Sequence, residues 1–189
     1  MDEQPIQLQR EVSRIIPATN HHAKRVDYEY ERAGTASIFM FCEPLSGWRE
    51  ATVRKHRKKI DWALAVGALL EGRYKEAEKI ILICDNLNTH TRGAFYDTYP
   101  PDKAQELLKR VEIHYTPKHG SWLNIAECEL SVLTRQCLKT KRFPDISSLS
   151  HAVSCWSTQT NAKQRGVDWH FTVEQARVKL KSPCPKILF

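Results

Sequence analysis

Ile80-Ile81-Leu82-Ile83-Cys84-Asp85-Asn86 is the stretch on which the fold turns. An apolar run that ends abruptly on an acid predicts a buried strand delivering Asp85 to the tip of a sheet. Further on, Gly120-Ser121-Trp122-Leu123-Asn124-Ile125-Ala126-Glu127 opens a helix whose apolar stripe carries an acid. Asp2 adds a carboxylate at the start of the chain. Three acids on separate elements are what a divalent-metal site for phosphoryl transfer requires. For Asp85 taken alone, a merely solvated strand-end acid is an equally good reading.

Outward from that strand, the chain alternates strands and helices. Residues 1–26 have little periodicity, carry Pro5, Pro17 and a His21-His22 pair, and read as irregular extension. Ala36 to Cys42 is a strong strand. Pro44, Ser46 and Gly47 make a turn, and Trp48 to Val53 alternates as the second arm of a hairpin. Residues 60–71 place Ile60, Leu64, Ala65, Ala68 and Leu69 on one helical face. After the Asp85 strand, Pro100-Pro101 starts a helix with Asp102 and Glu106 in its early turns, where the helix dipole favours acids. Val111 to Tyr115 is a short strand. Pro144-Asp145 starts another helix, Val167 to Phe171 is strand-like, and Thr172 caps a last helix. The pattern predicts one domain, residues 1–189, of mixed α/β class with a sheet flanked by helices.

The predicted helix from Trp122 to Leu138 distinguishes two acids by their angular position. At roughly 100° per residue, Leu123, Ala126, Leu130, Leu133, Thr134 and Cys137 share one side. Glu127 falls within that stripe and Glu129 outside its edge. An acid among apolar neighbours is costly unless a metal ion or a basic partner neutralises it. Glu127 is therefore the candidate ligand and Glu129 a solvent-facing bystander.

Composition narrows the classes. A chain of 189 residues can bury a proper core, and no hydrophobic stretch is long enough to span a membrane. The acidic start lacks a signal region, which points to the cytoplasm. Six cysteines show no Cys-x-x-Cys pair, so buried free thiols are expected rather than disulfides or zinc ligands. His21, His22 and His114 have the residue type for zinc but lack a matching partner set. The net charge of +7 favours an anionic partner. It is concentrated at Arg49 and at Arg54, Lys55, His56, Arg57, Lys58 and Lys59, then at Lys139, Lys141 and Arg142, and at Arg177, Lys179, Lys181 and Lys186. Such clusters bind backbone phosphate without reading sequence, or simply form a solvated face. For Arg54, Lys55, Arg57, Lys58 and Lys59, DNA contact is the favoured reading.

The segments Met1-Asp2-Glu3-Gln4-Pro5, Cys84-Asp85-Asn86-Leu87-Asn88-Thr89-His90 and Tyr115 to Glu127 together resemble the catalytic domain of DDE-type transposases. Within these the chain is most similar to the bacterial insertion-sequence-630-type family, relatives of the mariner elements. The resemblance covers nearly the whole chain and is carried mainly by the Tyr115–Glu127 block. It implies a ribonuclease-H-like sheet and DNA strand cleavage and transfer. It also implies catalytic and metal-holding roles for Asp2, Asp85 and Glu127 around two Mg²⁺ or Mn²⁺ ions about 3.5–4 Å apart. Asn86, His90, Asn124, Lys118 and His119 are candidate supporting residues. His90 could contact phosphate, orient a ligand or pack at a helix start, and Asn124 is read chiefly as a helix cap. The implied partners are transposon-end and target DNA and further copies of the chain when active, in a bacterial, nucleoid-associated setting.

Full-length members carry an amino-terminal helix-turn-helix region that this sequence lacks. The strand expected to hold Asp2 also looks truncated, which would leave Asp2 on a mobile terminus. A second reading is therefore a catalytically defective remnant. Such a remnant would retain only non-specific DNA binding or association with intact transposase.

Overall fold

The computed structural model describes residues 1–13, 15–117, 123–168, 170 and 172–180, the side chains of 179 and 180 excepted. Strand β1 (Asp2–Glu11) pairs antiparallel with β2 (Tyr30–Glu43), which pairs antiparallel with β3 (Trp48–Arg54). Strand β4 (Ile80–Cys84) pairs in parallel with β5 (Val111–Tyr115). The helices are α1 (Lys59–Glu71), α2 (Gly93–Tyr96), α3 (Pro101–Lys109), α4 (Ile125–Leu133), α5 (Ile146–Asn161) and α6 (Val173–Leu180). A π-helical turn, Thr134–Leu138, continues α4.

The first strand is a correction. Asp2 neither lies in irregular extension nor hangs free, because it opens a ten-residue strand with Asp2 opposite Met40 and Glu11 opposite Tyr30. The strand hid in the sequence because only Ile6 and Leu8 mark its apolar face, and Pro5 interrupts the pattern. β1 is the outer member of its three-stranded sheet, where a missing N–H is tolerated. The two sheets meet at Met1, whose buried amino group donates to the Ile83 carbonyl while its own carbonyl accepts from Asn124.

Two apolar cores lie on opposite sides of the β1–β2–β3 sheet. Phe39 and Phe41 of β2 join Trp62, Val66, Leu69 and Leu70 of α1, Phe95, and Leu107 of α3. Ile38 and Met40, pointing the other way, join Leu130 and Leu133 of α4 and Leu149 and Val153 of α5. The inward face of α1 therefore differs from the one expected: Ile60 and Leu64 are exposed, and the face centred on Trp62 and Val66 is buried. Strand β4 is half-buried rather than fully buried, with Leu82 and Cys84 inward and Ile81 and Ile83 outward.

Of the other expectations some hold, and two, the strand from Val167 and the burial of the thiols, need correction. The β2–β3 hairpin forms, with Gly47 at φ +71 in its turn. Pro101 starts α3 with Asp102 in the first turn, and Asp145 caps α5. Val167 and Asp168 are not strand, and Trp169 and Phe171 lie outside the described residues. Cys42, Cys84, Cys128, Cys137 and Cys155 are free thiols, but only Cys84 and Cys137 are buried; Cys128 and Cys155 are exposed. Among the described residues no helix is long and apolar enough to cross a membrane.

Candidate active site

Adjacent residues on a strand point to opposite faces, and here that alternation separates two acids with different tasks. Asp2 faces α4 and lines a groove with Gln4, Glu127, Ser131, Thr134 and Arg135. Glu3 points to the other side, where its carboxylate meets His90 Nε2 at 2.9 Å. Asp85 follows the last residue of β4, so the end of that strand presents it beside the start of β1.

The electrostatics of Asp2 mark the place where the acids converge. Burial pushes its carboxyl up to about 6; the Glu3 amide pulls it down, while the Asp85 and Glu127 charges push it up. The terminal ammonium offsets part of that repulsion. The Asp85 and Glu127 charges thus both reach the Asp2 carboxyl. Hard carboxylate oxygens in excess of cations suit a divalent ion such as Mg²⁺ or Mn²⁺. Among the described residues, however, no three ligand-type side chains stand close enough to form a closed metal cluster. Asp2 and Glu127 line the groove, and Asp85 stands at the end of β4, within electrostatic reach of Asp2.

Helix α4 corrects the periodicity argument. The buried residues are Ala126, Glu129, Leu130 and Leu133, so Glu129 belongs to the inward stripe and Glu127 is exposed toward the groove. Glu129 is only 7% exposed and is neutralised by Arg49, with Nε–Oε2 at 2.5 Å and Nη2–Oε1 at 2.8 Å. Arg49 also donates to the Gly47 and Arg165 carbonyls. A basic partner, not a metal, is what neutralises the buried acid. The same finding removes Arg49 from the exposed basic surface.

His90 is fully buried, which excludes contact with substrate phosphate. Its ring stacks on Trp62 at a centroid distance of 5.3 Å. Nδ1 donates to the Asp85 carbonyl at 3.1 Å and stands 2.8 Å from Asp85 Oδ1. Burial works to strip the ring of its proton, but hydrogen bonds to Cys84 and Glu3 and the Glu3 charge outweigh it. The imidazole is held up at about 10 and stays protonated. Glu3 is the residue the sequence reading missed. Its signal was available in alternation, since Asp2 and Glu3 cannot share a face.

Asn124 caps α4, its side chain accepting from the Ala126 amide at 3.2 Å. Asn86 is exposed beside Asp85. Lys118 and His119 lie outside the described residues. Lys55, Arg57, Lys58 and Lys59 are exposed between β3 and α1. Arg54 is half-buried, its guanidinium 6.0 Å from the Phe39 ring centroid. Arg142 is held by Glu11 and by the Tyr28 and Glu29 carbonyls, so it serves as a tie between segments rather than as free charge. Arg135, in the π-helical turn, brings an exposed cation to the rim of the acidic groove.

An antiparallel three-stranded sheet and a parallel two-stranded sheet that meet at Met1, with helices packed against them, define a ribonuclease-H-like α/β fold. The chain belongs to the DDE superfamily endonuclease family, whose sequence model matches residues 1–150. Its fold is also similar to a solved structure titled the Mos1 mariner paired end complex with Mn, at a TM-score of 0.54 and 16% identity. That match covers 87% of this chain and 50% of the other, so the chain spans about half the length of that relative in fold. No relative was found among curated proteins.

Proposed function

We propose that the chain is the catalytic domain of a transposase of the insertion-sequence-630 and mariner kind, cutting and joining DNA strands with two divalent metal ions. The observation that carries the proposal is geometric: Asp2 and Glu127 line one groove, and the charge of Asp85 at the end of β4 also reaches the Asp2 carboxyl. The similarity in fold to a mariner structure determined with Mn supports the same reading.

Asp2, Asp85 and Glu127 would hold the ions. When bound, such ions supply an activated hydroxyl nucleophile and charge stabilisation of the departing 3′ oxygen. The protein's own share is positioning. β1 and β4 fix Asp2 and Asp85 from the sheet, α4 brings Glu127 from the covering layer, and Asn124 ties the first turn of α4 to Met1. Arg135 meets backbone phosphate at the groove, and the exposed Lys55, Arg57, Lys58 and Lys59 bind the flanking duplex without reading its sequence. Assembly of further copies on paired transposon ends completes the reading.

The test is nicking of terminal-repeat DNA by the purified chain with Mg²⁺, beside Asp85→Ala and Glu127→Ala. Cleavage by the wild type, lost in both variants, supports the proposal. Equal cleavage by all three, or none by any, counts against catalysis by this chain and favours the reading of a non-catalytic remnant.

A further inference from the structure

Behind the candidate site lies a buried pair, Glu3 and His90, that reaches Asp85. Glu3 and His90 are 1% and 0% exposed at their side chains, whereas Asp85 is 35% exposed. The Asp85 exposure is not shared by its two oxygens. Oδ1 is buried and receives no aligned hydrogen bond, although His90 Nδ1 stands 2.8 Å away. The Nδ1–H is aimed instead at the Asp85 carbonyl oxygen, at 3.1 Å. One ring nitrogen thus grips the backbone of Asp85 and attracts its inner oxygen, while the other is tied to Glu3 at 2.9 Å. Trp62 stacks on the ring with an interplanar angle of 26°, which fixes its plane.

We infer that His90 is a positioning residue that turns Asp85 Oδ1 inward and leaves Oδ2 as the one oxygen offered to a metal ion, with Glu3 as the anchor that holds the ring. Asp85 then ligates through a single oxygen. This inference rests on the metal-dependent reading proposed above. Groups that orient a ligand from behind typically alter metal affinity by about 10–100-fold when removed. Glu3, adjacent to Asp2, also makes the ring a link between the two strands that carry the acids. Its second oxygen, Oε2, is buried without a hydrogen-bond partner, so His90 supplies the compensation the carboxylate has.

The test separates the brace from the fold by first removing the buried charge. In Glu3→Gln/His90→Asn the amide nitrogen replaces Nδ1 and keeps a donor toward Asp85. In Glu3→Gln/His90→Leu an apolar group of similar reach keeps the packing on Trp62 but offers no donor. Mn²⁺ affinity is read from the paramagnetic resonance signal of the free ion. The Asn pair is expected to bind within about threefold of wild type, and the Leu pair about tenfold more weakly. Equal affinity in the two pairs overturns the inference, whereas absence of Mn²⁺ binding by the wild type overturns the metal-dependent reading instead. Should the paired variants fail to fold, imidazole ¹⁵N spectra of the wild type decide. Both ring N–H signals are expected to stay protected from exchange when Mg²⁺ is added, and loss of the Nδ1–H signal overturns the brace.

Discussion

At the residue scale, Asp2 and the pair Glu127 and Glu129 carry most of the argument. Burial keeps the Asp2 proton on up to about 6 in the folded chain, well above the usual carboxylate range. A carboxyl raised on folding favours the native state while protonated, so that contribution is lost as pH rises toward 6. A divalent cation reverses the balance above that point, because it binds the ionised form. Mn²⁺ is therefore expected to raise the melting temperature more at about pH 7.5 than at about pH 5, and Asp2→Asn to remove most of that difference. Thermal melts at the two pH values with and without Mn²⁺ provide the measurement, and a metal shift independent of pH would contradict the placement of Asp2. The two glutamates separate stability from activity. Glu129→Ala leaves Arg49 buried without its carboxylate and is expected to cost about 3–5 kcal/mol of stability. Glu127→Ala removes an exposed group and is expected to stay within about 0.5 kcal/mol of wild type in urea denaturation while abolishing strand cleavage.

At the element scale, the hairpin and α4 show what the sequence could and could not reveal. The β2–β3 hairpin was legible because its arms alternate and its turn residues are specific. Gly47 sits at φ +71, and a Cβ there would fall 2.6 Å from the Arg165 backbone carbon. Gly47→Ala is accordingly expected to destabilise by about 2 kcal/mol or more, measured as a lower urea midpoint at unchanged slope. β4 and Asp85 were legible for the same reason as the hairpin, in that a local pattern fixed a local element. β1 was not, since its polar residues serve two different tasks on two faces: Asp2 the groove, Glu3 the buried ring. In α4 the apolar pattern gave the helix but misplaced the two acids. The charge that resolves Glu129, Arg49, comes from β3 and is invisible to any periodicity within the helix. The importance of His90 was half legible, because it closes the Cys84-to-His90 segment that holds Asp85, but its partner Glu3 lies on another strand.

At the scale of the whole molecule, fewer of the 29 Lys and Arg side chains are free to meet DNA than the sequence implies. Arg49 is consumed by Glu129, Arg142 by Glu11, Arg73 by Glu43 and Lys103 by Glu71. The exposed run Lys55, Arg57, Lys58 and Lys59 remains, at the junction between β3 and the start of α1, where Asp61 engages only the Lys58 amide. Phosphate contacts by such a run release condensed counterions, so affinity for duplex DNA falls linearly with the logarithm of salt concentration. The slope is about −0.9 per contact. Replacing all four residues with Gln is expected to make that slope shallower by about 2–3.5 and to weaken binding to random and terminal-repeat duplexes alike, because phosphate contacts carry no sequence information. Fluorescence anisotropy across a salt series measures both quantities. A variant that kept the wild-type slope would move the nucleic-acid surface away from this junction and toward the Arg135 rim of the acidic groove. A variant that lost affinity for terminal repeats alone would show that the run reads base sequence or DNA shape, contrary to the backbone-only contact its exposed position predicts.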